Sequence, residues 1–245
     1  MHSERRFAGL IGQELKYVRL AYPDFDIFQG KVGQFIADYK PPNPSNEIAV
    51  LDVGCGYGFT SDVILKQRRN IKLSTIDNEP AVIAQAHDFL KKWKKEKDVS
   101  IIEADALSFV RNAPVQSFDV VVSVLTIHNF APSYRNRFLK ELSRIIKPGG
   151  LFINADKYAL NSRDRYQSLA IEIKRYFDVF VPLGKYDLLK EWVLHHILDS
   201  APGRVMYESS SLRRLVSLGF VTAQIVYRNN MIAILKAEKS STSVS

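Results

Sequence analysis

A single cysteine, Cys55, in 245 residues excludes an intrachain disulfide framework and a cysteine-based metal cluster. Its seat between Gly54 and Gly56 reads as a small packed residue rather than a nucleophile, and no metal-ligand set is read from the sequence. No apolar run approaches the roughly 18 residues that a membrane-spanning helix needs. The opening MHSERRFAGL has no signal-peptide core. The expectation is a cytoplasmic protein with no membrane partner. Acidic residues are in the minority, 26 Asp and Glu against 34 Lys and Arg, for a formal net charge of +8. That surplus suits an anionic partner, though it bears on solubility and association first. With 46% hydrophobic residues, a chain of this length can bury one sizeable core.

What is present is concentrated in VLDVGCGYGFTS, residues 50 to 61. The apolar run through Val53 is short enough for a buried strand, and helical spacing resumes at Phe59. A strand therefore turns sharply into a helix across Gly54, Gly56 and Gly58, where backbone without side chains lets a ligand lie against the main chain. An ordinary strand-to-helix turn needs one glycine and seldom three. The G-C-G-Y-G spacing differs from the G-x-G-x-x-G of dinucleotide binders, whose third glycine serves a pyrophosphate at the helix start. Asp52, two residues ahead of the first glycine, suits a cationic ligand without a pyrophosphate.

The flanking pattern alternates. Strands are expected at 71–77, 99–104, 118–125 and 151–156, with helices at 80–95 and 132–146 between them, and LysProGlyGly at 147–150 as a stop signal. Such alternation implies right-handed crossovers and a doubly wound α/β, mostly parallel seven-stranded sheet. A helix at 209–218 and two strands joined through Asn229 and Asn230 close one edge as an antiparallel hairpin. Helical segments at 3–40 read as an N-terminal cap, set off by the PPNPSN linker. Two more helices between 160 and 200 form an insertion, placed to build a substrate pocket or a homodimer interface. The expected organisation is a cap at 1–45, an α/β core at 46–157, the insertion at 158–206, a completing helix and hairpin at 207–238, and a polar tail at 239–245.

Taken in order, VLDVGCGYG, STIDNEP, IIEADA, FDVVVSVLTIHNF and IIKPGGLF resemble the class I methyltransferases that depend on S-adenosylmethionine, strongly over 46–157 and more loosely over 207–238. The resemblance implies a Rossmann-like fold, that cofactor, and transfer of a methyl group to an acceptor, taken to be a small molecule. It implies that Gly54, Cys55, Gly56 and Gly58 face the methionine portion of the cofactor, with Asp52 beneath the amino group. Asp77, flanked by Asn78, would accept the ribose hydroxyls, because a carboxylate is a two-oxygen acceptor for a vicinal diol. Asp105 would take the adenine amino group, with Ala106 at the ring edge and Thr126 completing the cofactor site. His128 and Asn129, after the fourth strand, are the candidate catalytic residues. His128 serves if the acceptor must lose a proton, while a purely structural hydrogen bond or stacking on the adenosine is the alternative. A noncatalytic cofactor-binding protein is a further alternative.

The runs PDFDIFQGKVGQFIADY, IDNEPAV and LVSLGFVTAQIVYRNNMIAILKAE are similar to the carboxy-S-adenosylmethionine synthases, and this narrower similarity offers synthase-like chemistry as the alternative reaction. It departs at two points. The insertion carries His195 or His196 where those synthases have an arginine, and histidine is not a permanently charged fork. The glycine turn reads Gly56-Tyr57 where they have Ser-Leu. Candidate acceptor-binding residues are Phe25, Tyr158, Tyr186, His195 and His196, and adjacent helical positions point apart, so at most one of the two histidines is expected to enter a pocket. Basic clusters at 91–97, 135–137, 162–165 and 174–175, with Trp93, Tyr134 and Tyr166 nearby, admit a nucleic-acid partner such as tRNA, and so a tRNA-modifying methyltransferase. A solvated helix face explains the first cluster equally well.

Overall fold

A computed structural model describes residues 6–7, 9–22, 24–42, 47–93, 98–201 and 203–241. The start of the cap, part of the linker (43–46), the end of the first basic cluster (94–97) and the end of the tail (242–245) lie outside the described residues.

Seven strands form one sheet: β1 (Ile48–Val53), β2 (Ile71–Asp77), β3 (Asp98–Glu103), β4 (Phe118–Val124), β5 (Ile146–Lys157), β6 (Gln224–Asn229) and β7 (Ile232–Glu238), in the order β3-β2-β1-β4-β5-β7-β6. The first five pair in parallel, and β7 runs antiparallel to both β5 and β6. Strand order reverses at β1, whose neighbours are β2 and β4, so the crevice beyond their carboxyl ends is the expected ligand site of a doubly wound sheet.

Alternation along the strands feeds two layers. Val50, Val120, Val122 and Ile153 point into one core, and Leu51, Val121 and Phe152 into the other. The first core is closed by α3 (Phe25–Asp38), α4 (Phe59–Gln67), α5 (Pro80–Leu90), α8 (Ser162–Phe180) and α9 (Tyr186–Asp199). The second is closed by α6 (Ala106–Asn112), α7 (Pro132–Ile145) and α10 (Glu208–Ser217).

Three segments differ from the sequence reading. The first cap helix is broken into α1 (Leu10–Gln13), a 3₁₀ turn at Leu15–Tyr17 and α2 (Val18–Ala21). The break falls at Glu14, whose φ of −109° and ψ of 29° lie outside the helical range. The helix expected over 80–95 stops at Leu90, where Trp93 turns back and donates through Nε1 to Asp62 Oδ1 at 2.8 Å. The short α6 was absent from the sequence reading; its start is set by Asp105, whose side chain accepts the Ser108 amide hydrogen as an N-cap.

Candidate active site

The glycine turn is built by the β1–β2 pair. The Gly54 and Cys55 amides both donate to the Ile76 carbonyl, at 2.8 and 3.0 Å, which pulls the turn across the end of β2. Gly54 has φ +73°, and a Cβ there would fall 2.2 Å from Thr126 Oγ1. Gly56, at φ +55°, donates its amide hydrogen to Asp77 Oδ2 at 3.1 Å, while Glu79 donates to Asp77 Oδ1 at 3.1 Å. Burial raises the Asp77 carboxyl above its ordinary value, opposed by these backbone hydrogens.

Above this turn lies a cavity that opens to the surface. One wall is Gly54, Cys55, Gly56, Asp77, Asn78, Ala104 and Ala106. A second compartment of the lining is aromatic and aliphatic, made of Phe7, Leu15, Val18, Tyr22, Phe25, Phe59 and Trp192, and it also includes Gln29 and Thr60. The cap supplies much of this roof, and Leu15 lies against the open face of Gly56. Thr126, His128, Asn129 and Phe130 join the two compartments from the end of β4.

Beside that junction lies a buried charged cluster that the sequence reading missed apart from its histidines. His128 Nδ1 is 2.5 Å from Asp156 Oδ1, its backbone amide donates to Asp156 Oδ2, and Nε2 is 3.3 Å from Asp199 Oδ2. His195 Nε2 lies 3.4 Å from the same Asp199 oxygen, and Lys157 Nζ 3.2 Å from it. Arg6 pairs with Asp199 Oδ1 and donates to Asn129 Oδ1 at 2.9 Å. Lys157 also reaches His196 Nδ1 at 3.1 Å and Glu172 at 4.0 Å.

The electrostatics divide these groups. Burial pulls His128 down, but Asp156 and Asp199 outweigh it and hold its pKa above the ordinary value. Burial takes His195 down to about 3, with Arg6 and Lys157 adding to the effect against Asp199, so this ring is neutral. Burial likewise drives His196 well below its ordinary value. Burial opposes ionisation of Asp199, yet Lys157 and His128 hold it well below the usual carboxylate range.

Of the sequence-derived residues, Gly54, Cys55, Gly56, Asp77, Asn78, Ala106, Thr126, Phe25, His128, Asn129 and His195 meet at the cavity. Others do not. Asp52 is fully buried behind the turn and accepts from Ser61 Oγ at 2.7 Å. Gly58 packs toward Leu90 and Phe89, and Asp105 accepts from the Ser108 amide and the Tyr134 hydroxyl, beside a separate surface cleft. Tyr158 is buried and accepts from Asn154 Nδ2, Tyr186 is 64% exposed, and His196 turns toward Lys157 and Glu172. The two histidines therefore point apart, as helical spacing requires. Tyr134 is 2% exposed and Arg165 is buried, which removes both from any surface that could stack or bind RNA. Asp156, Lys157, Glu172 and Asp199 carry no local motif, because only the crossing of β5, α8 and α9 brings them together.

The strand order, the antiparallel β7 and the ligand crevice at the β1 reversal define the class I methyltransferase fold. Residues 50–150 match the family model described as a methyltransferase domain. The chain is similar to the carboxy-S-adenosyl-L-methionine synthase of Erwinia tasmaniensis, at 30% identity over 120 residues, 47% of this chain and 46% of that protein. The match thus spans about half the length of that relative. Among solved structures, it resembles an O-methyltransferase family protein from Burkholderia thailandensis, with a TM-score of 0.68 and 14% identity over 97% of this chain and 63% of that one. It also resembles an S-adenosylmethionine-dependent methyltransferase from Aquifex aeolicus, with a TM-score of 0.58 and 19% identity over 91% and 97%. No helix of the described residues is long and apolar enough to cross a membrane.

Proposed function

We propose that the chain is an S-adenosylmethionine-dependent methyltransferase acting on a small, largely apolar acceptor. One observation carries this reading: the backbone cradle beside Asp77 and the aromatic compartment are parts of one cavity, joined at Thr126–Phe130. The cradle fits the cofactor, since the Gly54–Gly56 backbone and Asp77 line the cavity together and Asp77 keeps lone pairs beyond its two backbone donors. Gly54, Gly56, Asp77 and Asn78 would hold the cofactor, which when bound supplies an electrophilic methyl group on a cationic sulfur.

The chain's own share is positioning and exclusion of water. Phe7, Leu15 and Phe25 cover the crevice, and desolvation favours a reaction in which charge on sulfur is lost. Thr126, His128, Asn129 and Phe130, which line the cavity at the end of β4, would hold the acceptor with its electron pair toward that methyl group, and an acceptor proton would pass to water. His128 is poorly placed to take that proton, because Asp156 and Asp199 face its two nitrogens.

Calorimetry with S-adenosylhomocysteine tests the reading. One equivalent should bind, and an acceptor screen with labelled methyl donor should then give turnover. No binding overturns it. The similarity to carboxy-S-adenosylmethionine synthases favours a second reading, a carboxylated sulfonium in the same cradle, with Arg6 the guanidinium of the described lining. Mass spectrometry of a copurified ligand separates the two.

A further inference from the structure

We infer that His128, His195 and Asp199 form a binding site for a divalent first-row transition ion at the junction of the two compartments. Their donor atoms all lie within 4.8 Å of one another, and all three residues are buried. His128 and His195 line the cavity, so the open side of the site faces it.

The present contacts are unsatisfactory without an ion. Three nitrogens, Lys157 Nζ, His128 Nε2 and His195 Nε2, stand 3.2, 3.3 and 3.4 Å from the single oxygen Asp199 Oδ2. One carboxylate oxygen offers about two lone pairs, and charge-assisted hydrogen bonds run to about 2.7–2.9 Å. Lys157 and Arg6 already pair with Asp199, and Asp156 holds His128 Nδ1, while the Nε2 atoms of His128 and His195 both aim at the one Asp199 oxygen. A cation between them would gather the two nitrogens and that oxygen.

The separations suit one. Metal bonds of about 2.0–2.1 Å to histidine nitrogen and carboxylate oxygen, arranged tetrahedrally, place neighbouring donors about 3.3–3.4 Å apart, the spacing of both imidazole nitrogens from Asp199 Oδ2. Asp156 on His128 Nδ1 is the outer carboxylate that fixes the ring of a metal-bound histidine. Two imidazoles and one carboxylate with open positions suit zinc or ferrous iron. The charge also decides what else binds. Asp199 faces Lys157 and Arg6, and Glu172 faces Lys157, so a divalent ion adds positive charge, which an ionised oxygen of the acceptor balances from the cavity side. That last step rests on the methyltransferase reading; the ion site does not.

The test is a Co²⁺ titration of the chelator-treated full chain, read by visible ligand-field absorption and by metal analysis. One equivalent should bind with nitrogen ligation, His195→Ala should abolish that absorption, and Asp156→Asn should weaken binding about 10–100-fold. Far-ultraviolet circular dichroism and urea unfolding of each variant report the fold independently, with His195→Gln as the substitute if His195→Ala does not fold. Substoichiometric Co²⁺, or equal Co²⁺ affinity in the folded His195 variant, overturns the site; the proton on His128 is then the cation. Co²⁺ binding without S-adenosylhomocysteine binding would sink the methyltransferase reading and leave the ion site standing.

Discussion

The Asp77 carboxylate accepts the amide hydrogen of Gly56 across 3.1 Å, tying the tip of β2 to the turn that follows β1. The same carboxylate caps Glu79 at the start of α5, so it orders the cradle before any ligand arrives. Asp77→Ala should therefore weaken S-adenosylhomocysteine binding by about 1.5–3 kcal/mol, the value of hydrogen bonds to a charged group. Asp77→Asn, which keeps one carbonyl oxygen, should lose less. Calorimetry ranks the three proteins, and equal affinities would detach Asp77 from the ligand.

Gly54 presents a steric test of the same turn. Its φ of +73° and the 2.2 Å approach of Thr126 Oγ1 to a built Cβ predict that Gly54→Ala destabilises the fold by about 1–3 kcal/mol for the backbone alone, and more from the clash. Adding Thr126→Ala removes the Oγ1 and Cγ2 contacts but leaves the Cβ at 2.7 Å and the φ, so the double variant should recover only part of the loss. Urea unfolding midpoints measure both. Full recovery would show that the backbone angle costs nothing.

The glycine turn, the acids closing β1, β2 and β3, and the strand–helix alternation were legible because each is local: a period, a stop signal, a run of small residues. The break in the cap helix was not, since Glu14 leaves the helical range inside a helical pattern, and its partner Lys185 lies 171 residues away. The role of Asp105 was half legible. Its place after β3 is local, but the Tyr134 hydroxyl that donates to it comes from 29 residues away. The charged cluster was invisible for the same reason, because His128, Asp156, Glu172 and Asp199 belong to four elements.

Lys157 is 3% exposed on its side chain and stands between Asp199 and Glu172. Replacing it by methionine keeps the bulk and removes the cation, leaving a buried carboxylate short of its partner, a loss of about 3–5 kcal/mol in comparable pairs. Adding Glu172→Gln should restore a substantial part, because it removes one of the uncompensated charges. A double-mutant cycle from urea denaturation gives the coupling. Additive losses would mean that the two groups do not share their charge.

Asp52 sets the pH dependence of the fold. It is fully buried, one oxygen accepts from Ser61, and the other has no partner. Burial, with Asp77 adding, raises its pKa to about 7 against the opposing hydrogen bonds of Ser61 and Thr75. The folded chain therefore holds a proton that the unfolded chain releases near pH 4. Where the native state binds more protons, stability falls with rising pH. The Asp52 contribution should thus be fully present below about pH 4, decline between about pH 4 and 7, and level off above it, a total of a few kcal/mol. Asp52→Asn can still accept from Ser61 and cannot ionise. Its stability relative to the wild type should therefore rise across that window, which cancels most other titrating groups. Unfolding free energies of both proteins at pH 5 and pH 8 measure it. A difference that stays constant would mean that Asp52 is ionised in the fold throughout.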